Sequence, residues 1–232
     1  MTSARRAPRP SGAAMRFDGA APVTVVLVRH GETPLTVTRA MSGSSVEGPA
    51  LTAAGRVQAA KAADVVHRIG RELWPDLPYP SEVRASPMVR TRQTAASVGR
   101  RIGQHVVVDD AFAECDFGDW EGLGVPEIDE RWPGLLRRWY TKPDVPAPGG
   151  ESLRDVGRRV EAGLGRVLEA GTDRTVVVVS HAMSIRAAVG VTLGMPADAW
   201  AWLRVLAGSV TVLRWWPDGM REAVVVGMPT DV

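Results

Sequence analysis

Two apolar runs dominate the pattern of hydrophobic and polar positions along the chain, and a histidine ends each of them. The first run, Val23–Val28, precedes Arg29 and His30, and the second begins at Thr175 and ends at His181. Short runs rich in β-branched residues are typical of strands buried on both faces of a parallel sheet. Ligands bind beyond the carboxyl ends of such strands in open α/β sheets. We therefore predict that His30 and His181 face one cavity if the two strands are neighbours.

The segments between these runs show the spacing of amphipathic helices and of further strands. Capping residues and apolar faces predict helices that begin at Thr52, at the Ser86-Pro87 pair, at Ser152 and near Met183. Turn residues and β-branched runs predict strands over 82–85 and 106–108 and a hairpin of 210–215 with 222–226. This alternation predicts an α/β fold, a three-layer α/β/α sandwich with a mostly parallel sheet. The hairpin adds an antiparallel edge strand.

Composition narrows the class of protein. The chain has 232 residues and a formal net charge of +2, which gives no reason to expect a nucleic-acid or membrane partner. Cys115 is the only cysteine, so no intrachain disulfide can form, and a cytoplasmic location is expected. Residues 1–21 contain no apolar stretch typical of a signal peptide. We expect a disordered basic tail there and one domain over 22–232.

Ordered motifs carry a resemblance to a known family. LVRHGET at Leu27–Thr33 resembles the signature of the histidine phosphatase superfamily, which includes phosphoglycerate mutases and acid phosphatases. The further matching segments are LTAAGRVQA at Leu51–Ala59, SPMVRTRQTA at Ser86–Ala95, AECDFGDWEG at Ala113–Gly122, PGGES at Pro148–Ser152 and VVSHA at Val178–Ala182. The resemblance spans the chain from Val23 to the C-terminus and implies a phosphoglycerate mutase-like fold.

The resemblance also implies roles for five residues. His30 would attack phosphorus as a neutral imidazole and form a phosphohistidine. Glu114 would protonate the leaving alkoxide and then deprotonate the hydrolytic water. Arg29 and Arg90 would bind phosphate oxygens, because their planar charged forks suit that group. His181, if protonated, would stabilise charge on the equatorial oxygens.

Further positions are expected to bind phosphate or to line the substrate pocket. The helix that starts at Ala182 faces the site, and its backbone N–H groups are expected to hold phosphate oxygens. The polar loop 36–49 and this helix are expected to shape the pocket through Thr36, Ser42, Gly43 and Met183. Thr36 stands where the family often has Asn, and Ala182 where it usually has Gly. Both departures bear on specificity rather than on the reaction.

Other chemistries fit the sequence less well. Cys115 could be a cysteine phosphatase nucleophile, but that family needs an Arg six residues on, and the chain has Glu121. No Cys/His cluster or carboxylate set has metal-ligand spacing, so we expect neither a metal nor another cofactor. The expected partner is a small phosphomonoester, with a homodimer left open as the assembly.

Three functions remain after this comparison. Phosphoglycerate mutases carry a Glu-Arg-x-Tyr-Gly stretch at the acid and a longer insertion after it. This chain has Glu114 followed by Cys115, Asp116, Phe117 and Gly118, with only a short segment before Glu151. Both features resemble the phosphatase branch and favour a metal-independent phosphomonoester hydrolase. A phosphoglycerate mutase and a non-catalytic phosphoester-binding protein are the alternatives. The substrate is left open among sugar phosphates, phosphoglycerate derivatives and nucleotide-pathway esters.

Overall fold

A computed structural model describes residues 19–230, which form one six-stranded sheet with helices packed on it. The strands of the described part are β1 Val23–Arg29, β2 Pro80–Ala85, β3 Val106–Val108, β4 Arg174–Ser180, β5 Val210–Trp215 and β6 Arg221–Met228. Its α-helices are α1 Pro34–Thr38, α2 Ala53–Arg68, α3 Val89–Ile102, α4 Val125–Arg131, α5 Leu135–Thr141, α6 Leu153–Glu169 and α7 Ala182–Leu193. Short 3₁₀ turns lie at 110–112, 118–120 and 197–202.

The sheet is mostly parallel, which confirms the predicted fold class. Its strand order is β3-β2-β4-β1-β5-β6, and the first four strands are paired in parallel. β5 runs antiparallel to both of its neighbours. The edge strand β6 is thus paired antiparallel to β5, which confirms the predicted antiparallel edge strand, and β5 is the strand that runs against the other five. A tight hairpin reverses the chain once, so the edge strand β6 returns to the common direction.

Helices cover both faces of the sheet. Val25 and Leu27 of β1 belong to a core cluster with apolar residues of α6 and α7. Val26 and Val28 belong to a second cluster with apolar residues of α2 and α3. Successive side chains of a strand point to opposite faces, so the continuous apolar run of β1 fills both cores. This arrangement is the predicted α/β/α sandwich, and it explains why β1 lacks polar alternation.

Helix starts agree with the predicted caps at two of three places. The Thr52 hydroxyl accepts a hydrogen bond from the Gly55 N–H at the start of α2, and Ser152 forms a capping box at the start of α6. The prediction that Ser86 caps α3 is wrong, because this helix begins at Val89 without a side-chain cap. The Ser86 hydroxyl is instead engaged at the candidate site. β2 also begins at Pro80, two residues before the predicted strand.

The predicted N-terminal tail lies mostly outside the described residues, which begin at 19. At its end, the Ala20 carbonyl accepts a hydrogen bond from the Trp216 indole N–H at 3.1 Å. Residues 19–21 therefore lie beside the sheet at the β5–β6 turn. Among residues 19–230, no helix has the length and apolar character needed to cross a membrane.

Candidate active site

The two predicted histidines meet at the carboxyl edge of the sheet. β1 and β4 are adjacent and parallel, with Arg29 opposite Ser180. The His30 N–H donates to the Ser180 carbonyl at 3.0 Å. The imidazole rings of His30 and His181 have centroids 5.1 Å apart and an interplanar angle of 61°. The condition that the two strands are neighbours is therefore met, although only His30 of the two lies in the wall of the cavity described below.

His30 is held as a neutral imidazole whose Nε2 has no hydrogen-bond partner among residues 19–230. Its Nδ1 lies 2.7 Å from the Gly31 carbonyl oxygen. Because a carbonyl only accepts, Nδ1 carries the hydrogen and Nε2 carries the lone pair. Burial lowers the pKa of His30 well below its ordinary value of 6.5, and the nearby Arg29 and Arg90 guanidiniums lower it further. His30 thus presents an unprotonated nitrogen at physiological pH.

The turn after His30 requires glycine on both sides of its contact with α2. A Cβ atom at Gly31 would lie 2.2 Å from the Gly55 carbonyl oxygen, and one at Gly55 would lie 2.1 Å from the Glu32 carbonyl oxygen. The Glu32 carboxylate also accepts from the Thr52 hydroxyl at 2.8 Å. The start of α2 therefore packs directly on the His30 turn and fixes it.

Two arginines place guanidinium groups beside the histidines. Arg29 donates from Nη1 to the Val205 carbonyl at 2.8 Å. Arg90 is fully buried, and its Nη2 donates to the Ser42 and Gly43 carbonyls at 2.9 and 3.0 Å. Among residues 19–230, the buried Arg29 Nε and Arg90 Nη1 have no hydrogen-bond partner. Unpaired buried donors are costly, so both guanidiniums have hydrogen-bonding capacity for an anion.

Gly43 lies behind the cavity wall and links Arg90 to an acidic residue. Its N–H donates to both carboxylate oxygens of Glu121, at 3.0 and 2.8 Å, while its carbonyl accepts from Arg90. It is absent from the residues that line the cavity. The expectation that Gly43 lines the substrate pocket is wrong, because its backbone is used to position Arg90.

Both ring nitrogens of His181 are engaged. Nδ1 lies 3.2 Å from Arg90 Nε, and Nε2 lies 2.7 Å from the Ser86 hydroxyl. Since a guanidinium N–H only donates, Nδ1 is an acceptor and Nε2 carries the hydrogen. Burial lowers the pKa of His181 well below its ordinary value, and Arg90 and His30 add to this effect. His181 is therefore neutral here, so the condition that the sequence-based prediction set for its charge-stabilising role, a protonated ring, is not met without a bound anion.

Glu114 occupies the start of α7. Its carboxylate accepts from the backbone N–H groups of Cys115 at 3.0 Å, Met183 at 3.1 Å and Ser184 at 3.3 Å. The expectation that the N–H groups of this helix end hold phosphate is thus wrong for Met183 and Ser184, because both donate to Glu114. The expectation still stands for the Ala182 N–H. Burial raises the pKa of Glu114 above its ordinary value of 4.5, against the opposing effects of the Cys115 N–H and Arg90.

A cavity of about 430 Å³ opens over this cluster. Its wall includes Arg29, His30, Glu114 and Ala182 together with the predicted pocket residues Thr36, Ser42 and Met183. Arg90 and His181 are fully buried and lie behind that wall. The Thr36 hydroxyl accepts from the Thr33 N–H at 3.3 Å, so this residue also caps α1.

Sequence reasoning missed several residues of the cavity. These are Leu35, Arg39, Ala40, Met41, Phe117, Tyr140, Arg186 and Leu206. Arg186 follows Met183 by one helical turn on α7, so the helix period could have indicated it. Tyr140 and Leu206 come from remote segments, and no local pattern marks them. Ser86 was also predicted to cap a helix, whereas its hydroxyl bonds to His181 Nε2.

Cys115 is not placed for nucleophilic chemistry. The thiol is buried, and that burial raises its pKa well above the ordinary value. A thiol with a raised pKa is a poor nucleophile, because the thiolate is the reactive form. In the described part of the chain, no three or more His, Cys, Asp or Glu side chains are grouped so as to hold a metal ion.

The family model named histidine phosphatase superfamily (branch 1) matches residues 25–226 of this chain. The match covers the sheet, the two histidine-bearing strand ends and Glu114. The chain therefore belongs to the histidine phosphatase superfamily.

Relatives with different activities share this fold. A bifunctional protein of Mycobacterium tuberculosis is 35% identical over 198 residues, which are 85% of this chain and 52% of the relative. The chain spans about half the length of this and two further mycobacterial relatives. A 2,3-bisphosphoglycerate-dependent phosphoglycerate mutase of Methylorubrum populi is 31% identical over 211 residues, 87% of this chain and 94% of the mutase. A solved mycobacterial glucosyl-3-phosphoglycerate phosphatase with VO3 has a TM-score of 0.77 and 30% identity, covering 88% of this chain and 98% of that chain.

Proposed function

We propose that this chain is a phosphomonoester hydrolase that works through a phosphohistidine at His30. The observation that carries the proposal is the hydrogen bond from His30 Nδ1 to the Gly31 carbonyl. That bond leaves a lone pair on Nε2 of a neutral imidazole, in a cavity that Arg29 and Glu114 also line. The proposed nucleophile His30, the positive charge of Arg29 and the proposed proton donor Glu114 thus surround one cavity.

The first half-reaction transfers the phosphoryl group to the protein. The Nε2 lone pair of His30 attacks phosphorus, a P–N bond forms, and the P–O bond to the alcohol breaks. Glu114 donates its proton to the departing oxygen, and its raised pKa favours the protonated form that this role needs. Arg29 binds the phosphoryl oxygens. The products of this half-reaction are the free alcohol, phosphohistidine and the Glu114 carboxylate.

The second half-reaction returns the protein to its starting state. The Glu114 carboxylate takes a proton from water, and the oxygen of that water attacks phosphorus. The P–N bond breaks, and its electron pair returns to His30 Nε2. Inorganic phosphate leaves, and Glu114 is again protonated.

Arg90 and His181 act from behind the cavity wall. The His181 ring lies 5.1 Å from the His30 ring, so a phosphoryl group on His30 lies beside this pair. A nearby dianion raises the pKa of an imidazole. His181 can therefore take up a proton at Nδ1 when the phosphoryl group is bound, once the Arg90 Nε–H turns from that atom towards the anion. Arg90, held by the Ser42 and Gly43 carbonyls, adds a fixed positive charge.

A phosphoglycerate mutase is the second candidate, because relatives of that activity share the fold. Hydrolysis is favoured by the sequence after Glu114, which lacks the mutase-type stretch. The test supplies purified protein with 3-phosphoglycerate and follows both free phosphate and 2-phosphoglycerate. We expect phosphate release to be faster, with activity retained in EDTA and lost in His30→Ala. Faster isomer formation would establish the mutase, and no turnover of any phosphomonoester would indicate a non-catalytic binding protein.

A further inference from the structure

A second cavity adjoins the candidate active site and has no part in the proposed phosphoryl transfer. It measures about 600 Å³. Arg29, Thr36 and Leu206 line both this cavity and the catalytic one. The two spaces therefore adjoin at these three side chains.

The wall of the second cavity is mainly apolar. One side is a face of α2, formed by Ala54, Val57, Gln58 and Lys61, and the other contains Leu206, Ala207, Pro229 and Thr230. Val57 is 57% exposed and Leu206 is 44% exposed, so large apolar side chains face open space. Apolar walls with a few polar groups are typical of small-molecule sites.

The second cavity extends away from the catalytic histidine. The start of α2 packs on the His30 turn through the contact of Gly55 with Gly31. Lys61 lies nearly two turns further along α2, roughly 9 Å at 1.5 Å per residue. Among the α2 residues in this wall, Lys61 is the furthest from that contact, and it is exposed. The far end of the cavity therefore carries a positive charge.

We propose that this second cavity binds the alcohol portion of the substrate, an inference that rests on the hydrolysis proposed above. The substrate is then a phosphomonoester of an elongated alcohol. Its apolar chain crosses Thr36 and Leu206 and lies against Val57, and its far end carries an anionic group that faces Lys61. An ester of a three-carbon alcohol leaves this second cavity empty.

A chain-length series tests the proposal. Ethyl, butyl, hexyl and octyl phosphate differ only in apolar length, and burial of a methylene is worth about fourfold in binding. We expect kcat/KM to rise up to roughly fourfold per methylene until the cavity is full. A flat series in the native chain would overturn the proposal.

Variants on α2 locate the effect. Val57→Trp fills the cavity from an exposed helix position and should therefore flatten the chain-length series. Ala60→Trp is the matched control, because Ala60 is exposed on α2 and is not part of this wall. An unchanged chain-length dependence in Val57→Trp, or equal losses in both variants, would contradict the proposed site.

Lys61→Met tests the anionic end. In the native chain, kcat/KM should be a few-fold higher for the ω-carboxyl analogue of hexyl phosphate than for hexyl phosphate itself. This preference should vanish in Lys61→Met. Equal kcat/KM values for the two esters in the native chain would show that the substrate does not need an anionic group at its far end. Absence of p-nitrophenyl phosphate hydrolysis would instead refute the hydrolase function, so the two failures are distinguishable.

Discussion

The strand ends of β1 and β4 carry histidines in matching positions, yet the structure gives the two rings different hydrogen bonds. His30 bonds through Nδ1 to the Gly31 carbonyl, and its Nε2 has no hydrogen bond to the described residues. His181 has both nitrogens engaged, by Arg90 and Ser86. His30 lies in the cavity wall, whereas His181 is fully buried behind it.

The comparison teaches that position at a strand end does not by itself determine a histidine's role. The partner of one ring nitrogen decides what the other nitrogen can do. A backbone carbonyl at Nδ1 leaves His30 free to attack. Arg90 at Nδ1 and Ser86 at Nε2 leave His181 suited to stabilise charge rather than to attack.

The largest expected effect separates these two histidines. His30→Ala should lower kcat/KM for p-nitrophenyl phosphate by about 10⁵-fold, because loss of a nucleophile removes the covalent route. His181→Ala should cost about 10²–10³-fold, the usual cost of losing one charge-stabilising donor. Steady-state kinetics of both purified variants measure this difference. Losses of the same size would mean that the two rings do not differ in role.

Replacement of Glu114 should depend on the leaving group. Glu114→Gln keeps the size but cannot donate a proton, so the first turnover of an alkyl phosphate should slow by about 10²–10⁴-fold. The aryloxide of an aryl phosphate leaves without needing a proton, so the first turnover of such an ester should change much less. Rapid-quench measurement isolates this half-reaction from the later hydrolysis. Equal losses for both esters would remove Glu114 from the acid role, with Glu121 and Asp116 as the next candidates.

Glu114→Gln also tests which groups determine the pH dependence of activity. The lowered pKa of His30 keeps the nucleophile neutral in mild acid, and the raised pKa of Glu114 keeps the donor protonated at higher pH than an ordinary carboxyl. Activity on alkyl esters should therefore fall with acid through the His30 pKa and with base through the Glu114 pKa. The ratio of native to Glu114→Gln rates should decrease as pH rises, and a constant ratio would contradict the assignment.

A smaller effect is expected at the hydrogen bond that orients His181. Ser86→Ala removes the partner of Nε2 and should lower kcat/KM about tenfold, the usual cost of losing one buried hydrogen bond. Ser97→Ala, on α3 and outside the cavity, is the control. If Ser86→Ala has the same kcat/KM as Ser97→Ala, the contact between Ser86 and His181 does not contribute to activity.

The smallest effect is expected at Glu121. Glu121→Gln weakens the bond to the Gly43 N–H and thereby loosens the carbonyls that hold Arg90. Vanadate, which mimics five-coordinate phosphorus, should inhibit the variant with a Ki roughly threefold higher. Glu127→Gln, at an exposed site on α4, is the control. An unchanged vanadate Ki would show that this contact does not position Arg90.

The sequence predicted the fold well where one residue pattern has one structural solution. The β-branched runs of β1 and β4 can be buried on both faces only in a sheet that helices cover on both sides, and the structure confirms this. Ser86 was misassigned because Ser-Pro is typical of a helix start, while the bond to His181 depends on tertiary contact. A hairpin fixes only the relative direction of its strands, so it predicted the antiparallel pairing of β5 with β6 but not the pairing of β5 with β1.

The candidate site was predictable as far as the family motifs extend. His30, Glu114 and Arg29 lie together in the cavity wall. Tyr140 was missed because helical periodicity gives the face of a helix and not what that face meets, whereas Arg186 could have been inferred from Met183, one turn earlier on α7. The neutral state of His181 also depends on burial and on Arg90, which no local pattern contains.

The most direct test identifies the atom that carries the phosphoryl group. Glu114→Gln should accumulate phosphoenzyme from p-nitrophenyl phosphate, because hydrolysis of the intermediate needs the base. The reaction is quenched in alkali, where phosphohistidine is stable, and the digested protein is analysed by mass spectrometry. The account predicts phosphate on the peptide that contains His30 and none on the peptide that contains His181. Phosphate on His181, or turnover without any phosphohistidine, would contradict it.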